Sequence, residues 1–163
     1  MTKAPDTEPR WLDDDQQRTW RAFLLGTTLL SDRLDEDLRR AFGMSLVEYE
    51  VLVRLSDAGG RMRMAKLADA LAHSRSRVTH TVARMERDGL VSRCESTVDR
   101  RGVIAALTEE GQRTLERAAP VHVAGVRDYL IDLAGDADLA ALGRIMDRVA
   151  DRLIGDHPER EMR

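Results

Sequence analysis

The sequence predicts a mainly α-helical protein with one small β-hairpin and long helices towards both ends. Three observations support this prediction. Apolar residues recur at helical spacing through most of the chain, capping residues stand where these periodic segments begin, and two short strand-like segments lie close together in the second half. With 163 residues, the chain can bury a core without a disulfide framework or a metal.

The N-terminal part is predicted to be a polar lead followed by one long helix. Residues 1–10 are polar and are expected to be disordered. Asp13 and Gln16 have the spacing of a capping box. Apolar residues then recur at helical spacing as far as Phe42, and Gly43 is expected to end the helix.

Shorter elements follow this first helix. Ser45 and Glu48 form a second capping box, which opens a helix that stops before Gly59. Ser74 is expected to cap another short helix, which Gly89 ends. The predicted elements of this region also include a strand at 61–63, a helix at 65–72, a turn at 71–74 and a helix at 75–88.

A β-hairpin and a further helix come next. Residues 90–95 and 103–107 are predicted strands, and the charged segment between them forms an extended tip. Thr108 is expected to cap a helix that runs to about residue 133. Pro120 lies inside that helix and is expected to kink it.

The last helix, which Asp136 is expected to cap, carries apolar residues at heptad spacing. That spacing is typical of a helix that packs lengthwise on a partner helix, although two heptads do not prove a coiled coil. The residues in this pattern are Leu139, Leu142, Met146, Val149 and Leu153.

Two short helices joined by a tight turn and followed by a hairpin match a winged helix-turn-helix. At about 100° per residue, Val78, Val82 and Met85 share one side of the second helix and are expected to face the core. The opposite side offers hydroxyl, imidazole and guanidinium groups, which bond to phosphates and to base edges in a DNA major groove. That side carries Ser76, Arg77, His80, Arg84 and Arg87.

The charge distribution also favours a nucleic-acid partner. Residues 61–102 contain ten Arg and Lys residues and five acidic residues, a net charge of +5. Because the whole chain carries −3, the remainder carries −8. A basic segment between acidic arms is typical of a protein with one face that meets an anion. An ordinary solvated surface is the alternative on charge alone.

The tip of the hairpin offers a second kind of DNA contact. An Arg in this extended loop suits the narrow, negative minor groove of A·T-rich DNA, and Arg100 and Arg101 stand there. Asp99 would repel a phosphate, so we expect it to orient a neighbouring Arg instead.

Four segments, taken in order, resemble the MarR family of transcriptional regulators. The likeness extends over roughly residues 12–153 and implies a homodimer whose first and last helices intertwine. It also implies that the helix at 75–88 enters the major groove and that Arg101 enters the minor groove. The four segments are residues 67–79, 85–93, 99–101 and 107–111.

The protein is therefore expected to be a sequence-specific transcriptional regulator that binds double-stranded DNA at a pseudo-palindromic operator. We expect it to act as a repressor. The expected segments are a disordered lead (1–10), a first dimerisation helix (11–44), a winged helix-turn-helix lobe (45–107), C-terminal dimerisation helices (108–154) and a flexible tail (155–163). The candidate DNA-binding residues are Ser74, Arg75, Ser76, Arg77, Thr79, His80, Arg84, Arg100 and Arg101.

The resemblance also implies a site for a small effector, since many members of the family are released from DNA by phenolic or other aromatic molecules. The candidate lining residues are predicted to lie on the first, second and fifth helices. Ordinary core packing is the alternative for all of them. They are Trp20, Phe23, Tyr49 and His122.

Other function classes find little support in the sequence. The His residues and Cys94 lack the close spacing of a zinc site, and neither a nucleophile elbow nor a glycine-rich phosphate loop is present. We therefore expect no metal, no cofactor and no enzymatic activity. Cys94 is expected to be a small buried residue of the wing rather than a redox switch.

Two further expectations concern location and the alternative function. The sequence has no export signal and no apolar run long enough to span a bilayer, so a cytoplasmic protein without a membrane partner is expected. The alternative function is a helical dimer that serves in protein interactions and has lost specific DNA binding. The basic segment at 61–102 argues against that alternative.

Overall fold

The protein consists of capped helices and one small antiparallel sheet, as the residue pattern predicts. The structure is a computed structural model that describes residues 8–95 and 102–155. Its elements are α1 (Asp14–Phe42), α2 (Leu46–Asp57), β1 (Arg61–Arg63), α3 (Met64–Ala70), α4 (Arg75–Arg87), β2 (Val91–Glu95), β3 (Val103–Leu107), α5 (Glu109–Tyr129), a 3-10 turn (Ile131–Leu133) and α6 (Asp136–Gly155).

Side-chain caps set the starts of four helices, as predicted. The side chains of Asp13, Ser45, Ser74 and Thr108 each accept a hydrogen bond from the backbone N–H three residues later. These bonds satisfy N–H groups that the first helical turn leaves without partners. The predicted cap of α6 is wrong, because Asp136 lies inside the helix and the carbonyl of the preceding glycine accepts its first hydrogen bonds.

The three strands form one antiparallel sheet in the order β1-β3-β2. In this sheet β3 lies in the middle, with Arg61 opposite Ala106 on one side and Cys94 opposite Ile104 on the other. The sequence thus predicted all three strands, and β1 adds an edge to the hairpin.

The core lies between α2, α3, α4 and the sheet, and it reaches the C-terminal end of α1 and the first half of α5. Val78, Val82 and Met85 are buried, which confirms the side of α4 that the helical spacing assigned to the core. The other fully buried large side chains are Leu38, Val51, Leu52, Leu55 and Leu67. This lobe therefore holds α4 rigidly with its polar side outward.

The fifth helix ends earlier than predicted, and the helices outside this lobe leave apolar surface exposed. The fifth helix continues through Pro120 but ends at Tyr129, where a 3-10 turn replaces its predicted last turn. Large apolar side chains of α1 and α6 lie at the surface of the single chain. They include Trp20, Leu25, Leu29, Ile145, Met146, Val149 and Leu153.

Candidate nucleic-acid interface

The outward side of α4 presents most of the side chains that the sequence assigned to DNA. Ser74 caps the helix through its hydroxyl, which accepts a hydrogen bond from the backbone N–H of Arg77 at 3.3 Å. The Thr79 hydroxyl donates to the carbonyl of Arg75 at 2.8 Å. The exposed residues on this side are Ser74, Arg75, Ser76, Arg77, Thr79, His80, Arg84 and Arg87.

The turn before α4 controls how the helix enters this surface. Ala72 has a φ of 52°, a left-handed conformation that is costly for a residue with a Cβ. His73 follows it and is half-buried. Burial lowers the pKa of His73, and the nearby guanidinium of Arg77 adds to that effect. The imidazole therefore favours its neutral form in this turn.

Arg84 is held by a buried carboxylate on another helix. Its Nε donates to Oε1 of Glu48 at 2.7 Å, although the two residues are 36 positions apart in sequence. Glu48 is 6% exposed. Burial raises the pKa of its carboxyl, but hydrogen bonds from Ser45 and Arg84 more than offset this effect, so the net pKa lies below the ordinary value. An ionised glutamate therefore anchors one cation of the α4 surface.

The root of the wing is fastened to α4. Glu86, near the end of α4, forms an ion pair with Arg93 of β2. An open groove runs between α4 and the wing, and two arginine residues contribute to its lining. It is lined by Arg63, Met64, Ala65, Arg75, Thr79, Gly102 and Val103. The proposed DNA surfaces of the helix and of the wing are therefore continuous at this point.

Three of the predicted site residues belong to the tip of the wing. Asp99, Arg100 and Arg101 lie outside the described residues. The roles predicted for them, with Arg101 in the minor groove, Arg100 nearby and Asp99 as the orienting residue, stay predictions.

The four aromatic residues assigned to an effector site form two separate pairs. Trp20 and Phe23 stack with ring centroids 5.9 Å apart on α1, and Trp20 is half exposed. Tyr49 and His122 contact each other between α2 and α5, with centroids 4.5 Å apart. Within residues 8–95 and 102–155, no ring contact joins one pair to the other. Only the second pair lies in the core region.

The Tyr49 and His122 pair has an unusual polar feature. The Nδ1 atom of His122 is buried and has no hydrogen-bond partner in the described part of the chain. Burial lowers the pKa of His122 and raises the pKa of Tyr49, so both side chains favour the neutral form. A buried polar atom without a partner costs free energy and calls for an explanation.

The expectation that Cys94 is buried is wrong. The thiol is free and exposed, and Nη2 of Arg61 approaches its Sγ at 3.4 Å. The strand containing Cys94 projects from the body of the protein, and only Val91 at its start is buried. The periodicity and residue types of this segment therefore predicted a strand, but they did not predict that the Cys94 side chain is exposed.

Across residues 8–95 and 102–155, no three His, Cys, Asp or Glu side chains are grouped as metal ligands. In the same ranges, the helices lack the combination of length and apolar character that crossing a bilayer requires.

Comparison with known proteins identifies the family. A model of the MarR family matches residues 42–102. The transcriptional repressor YetL of Bacillus subtilis (strain 168) is 30% identical over 112 residues, which cover 66% of this chain and 67% of YetL. The chain belongs to the MarR family of transcriptional regulators.

Two solved MarR-family structures from Streptomyces coelicolor are similar over most of the chain. Sco3205, solved in complex with DNA, has a TM-score of 0.87 and 42% identity, covering 91% of this chain and 93% of its own. AbsC has a TM-score of 0.85 and 44% identity, covering 90% of this chain and 99% of its own. These similarities confirm the MarR-family winged helix-turn-helix that the sequence predicted.

Two residues of the candidate interface were not predicted from the sequence. Glu48 was recognised only as a capping residue, and Glu86 was counted only as a charge. Each binds an arginine of the MarR-family DNA-binding lobe through a contact across elements, which spacing along one helix does not reveal.

Proposed function

We propose that this chain binds a pseudo-palindromic DNA operator as a homodimer and represses transcription there. The observation that carries the proposal is the exposed, arginine-rich side of α4, held outward by a buried apolar side of the same helix. Similarity to Sco3205, which was solved with DNA at 42% identity, supports a DNA partner. Repression is supported by YetL, a relative named as a repressor.

The residues divide into two proposed roles. Residues near the start of α4 read base edges in the major groove, because the N-terminal part of a recognition helix approaches the bases. Arg101 enters the minor groove, with Arg100 beside it and Asp99 as the orienting partner. The proposed major-groove and adjacent phosphate contacts are Ser74, Arg75, Ser76, Arg77, Thr79, His80 and Arg84.

A homodimer would cover the apolar surface that one chain leaves exposed. Leu25 and Leu29 of α1 are 62% and 58% exposed, and Ile145 and Leu153 of α6 are 56% and 61% exposed. Large apolar side chains that are exposed to this extent favour burial against another protein surface. Pairing through α1, α5 and α6 would place two copies of α4 about 34 Å apart, one turn of DNA.

The core pair of Tyr49 and His122 supports a small aromatic effector. A phenolic hydroxyl could donate to the buried Nδ1 atom of His122, which has no partner among the described residues, and an aromatic ring could stack on Tyr49. Trp20 and Phe23, which form a separate pair on α1, stay candidates for the same effector. Binding of a panel of phenolic acids, followed by tryptophan fluorescence, tests this part of the proposal, and a flat titration would contradict it.

The experiment that tests DNA recognition is fluorescence-anisotropy titration of the purified protein onto the DNA upstream of its own gene and onto duplexes selected from a random pool. Excess random duplex is the competitor, and two salt concentrations are compared. We expect binding that survives the competitor. Binding to every tested duplex that disappears with the competitor would contradict sequence-specific recognition and favour a protein-interaction module.

Arg77→Ala and Arg113→Ala form a matched pair for the same titration. Both remove one exposed arginine, the first from α4 and the second from α5. Loss of a phosphate contact lowers the slope of log affinity against log salt by about 0.9. We expect that reduction for Arg77→Ala only. Equal slopes in the two variants would contradict a phosphate contact by Arg77 and would place this side chain off the DNA backbone.

A further inference from the structure

The carboxylate of Glu48 joins three groups in one fixed arrangement. Its Oε2 accepts hydrogen bonds from the backbone N–H of Ser45 at 2.8 Å and from the Ser45 hydroxyl at 2.7 Å. Its Oε1 accepts from Nε of Arg84 at 2.7 Å. Because both oxygens are occupied and the side chain is buried, the carboxylate presents one orientation to Arg84.

Arg84 uses only one part of its guanidinium in this contact. Nε points to Glu48, and its two terminal amino groups make no hydrogen bond to the described residues. The Arg84 side chain is 51% exposed. It lies four residues after His80 and seven after Arg77, on the same flank of α4, and both of those residues are exposed. The guanidinium is thus fixed at one edge and open to solvent at the other.

We propose that Glu48 is a positioning residue for DNA binding, which holds Arg84 by Nε so that its terminal amino groups bind one phosphate of the DNA backbone. This role rests on the proposed function. A phosphate is favoured over a base edge because Arg84 lies in the last turns of α4, whereas base contacts come from the N-terminal part of a recognition helix. Planar guanidinium groups suit such two-sided contacts, since their donors point in fixed directions.

The physical advantage of this arrangement is preorganisation. A free arginine side chain loses rotamer freedom when it binds a phosphate, and that loss weakens binding. Glu48 restricts Arg84 before DNA arrives. Glu48 also carries a negative charge near DNA, so its removal has an electrostatic effect of the opposite sign. A test must separate these two effects.

A double-mutant cycle separates them. Glu48→Gln, Arg84→Met and the double variant are titrated onto the selected operator over a range of salt. Glutamine has nearly the same shape and keeps an oxygen for the Ser45 N–H, so the cap of α2 persists. Glu36→Gln is the charge control, because Glu36 is exposed on α1 and pairs with Arg40 there. Thermal unfolding of each variant checks that the fold is intact.

We expect Glu48→Gln to weaken operator binding about three- to tenfold more in the protein with Arg84 than in the Arg84→Met background. Arg84→Met should also lower the salt slope by about 0.9, the loss of one phosphate contact, while Glu36→Gln leaves affinity and slope unchanged. The inference is overturned if Glu48→Gln has the same effect in both backgrounds or tightens binding only when Arg84 is present, since the latter would mean that Glu48 withholds Arg84 from DNA.

Arg84→Lys tests the same inference from the other side if Glu48→Gln unfolds the protein. Lysine keeps the charge, but its single ammonium group lacks the two separate donor edges of a guanidinium. We expect operator binding nearly as weak as that of Arg84→Met. Wild-type affinity for Arg84→Lys would overturn the inference while leaving the proposed function in place, whereas failure of the unmodified protein to bind any operator would overturn both.

Discussion

Arg93 donates three hydrogen bonds to the carboxylate of Glu86. The backbone N–H of Arg93 donates to Oε1 at 2.9 Å, and its Nε and Nη2 donate to Oε2 at 2.9 and 2.6 Å. The side-chain hydrogen bond from Arg93 lowers the pKa of Glu86. Because Glu86 belongs to α4 and Arg93 to β2, this contact fixes the direction in which the wing leaves α4.

Glu86→Gln is expected to weaken operator binding without unfolding the protein. The amide cannot accept the same set of hydrogen bonds, so the wing gains freedom relative to α4. An ion pair at this level of exposure contributes little to the free energy of unfolding, so we expect the fold to persist. We expect roughly a threefold loss of operator affinity, which corresponds to the free energy of one such ion pair. Fluorescence anisotropy measures the affinity, and hydroxyl-radical footprinting reports whether minor-groove protection weakens.

The matched control for this prediction is Glu110→Gln. Glu110 also accepts hydrogen bonds from an arginine, Arg113, but both residues belong to α5. Its removal changes the net charge by the same amount. If the two variants lose operator affinity equally, the contact between Glu86 and Arg93 has no special role in DNA binding.

The close approach of Gly111 to Leu90 predicts a strong effect on stability. A Cβ at Gly111 would lie 2.0 Å from the carbonyl oxygen of Leu90 and 2.8 Å from Cδ1 of Leu107. Since the first of these atoms is backbone, relief requires a shift of α5 against the wing. We expect Gly111→Ala to lower the free energy of unfolding by about 1–3 kcal/mol, the range for overpacking.

Urea unfolding monitored by circular dichroism measures this change. Glu116→Ala, at an exposed position of the same helix, serves as the control and should stay within about 0.5 kcal/mol of the unmodified protein. A Gly111→Ala variant as stable as this control would show that α5 moves away from Leu90 at little cost.

The elements that sequence predicted well are those fixed by local chemistry. Each of the four caps satisfies a backbone N–H group only three residues away, so residue spacing along the sequence is enough to predict it. The capping residues are Asp13, Ser45, Ser74 and Thr108. The same holds for the buried side of α4, because its period of about 3.6 residues decides which side chains share a face.

What sequence missed depends on contacts between distant elements. Glu48 and Arg84 are 36 residues apart, and no local rule brings a helix start to the flank of another helix. The predicted location on the first and second helices places Trp20 and Tyr49 in one site, yet the two residues lie in different aromatic pairs. Cys94 is exposed because the rest of the protein leaves most of β2 uncovered, which the local sequence does not show. Each of these facts requires the tertiary arrangement.

His122 should make the stability of the protein depend on pH near neutrality. Burial lowers its pKa in the folded state, while an unfolded histidine titrates at about 6.5. The unfolded chain therefore binds the proton first as the pH falls, so stability is fully present above about 6.5 and decreases below it. His73, whose pKa burial also lowers, contributes in the same direction.

His122→Phe is expected to flatten this dependence. Phenylalanine keeps a ring against Tyr49 but removes the proton-binding site and the unpartnered Nδ1 atom. Urea unfolding at pH 7.5 and pH 5.5 measures the change, with His73→Asn as a second variant that should flatten the remainder. The explanation is wrong if His122→Phe loses as much stability on acidification as the unmodified protein.

Leu29→Glu and Leu153→Glu are each expected to break the proposed homodimer. Both leucines are more than half exposed in the single chain, so a charge there should leave the fold of one chain intact. In a dimer, the same charge would be buried without a partner, at a cost that opposes association. Light scattering coupled to size-exclusion chromatography measures the mass. Val103→Glu, at the exposed first residue of β3, introduces the same charge outside α1 and α6 and should remain dimeric. Monomeric mass for all three variants, or dimeric mass for all three, would contradict pairing through these helices.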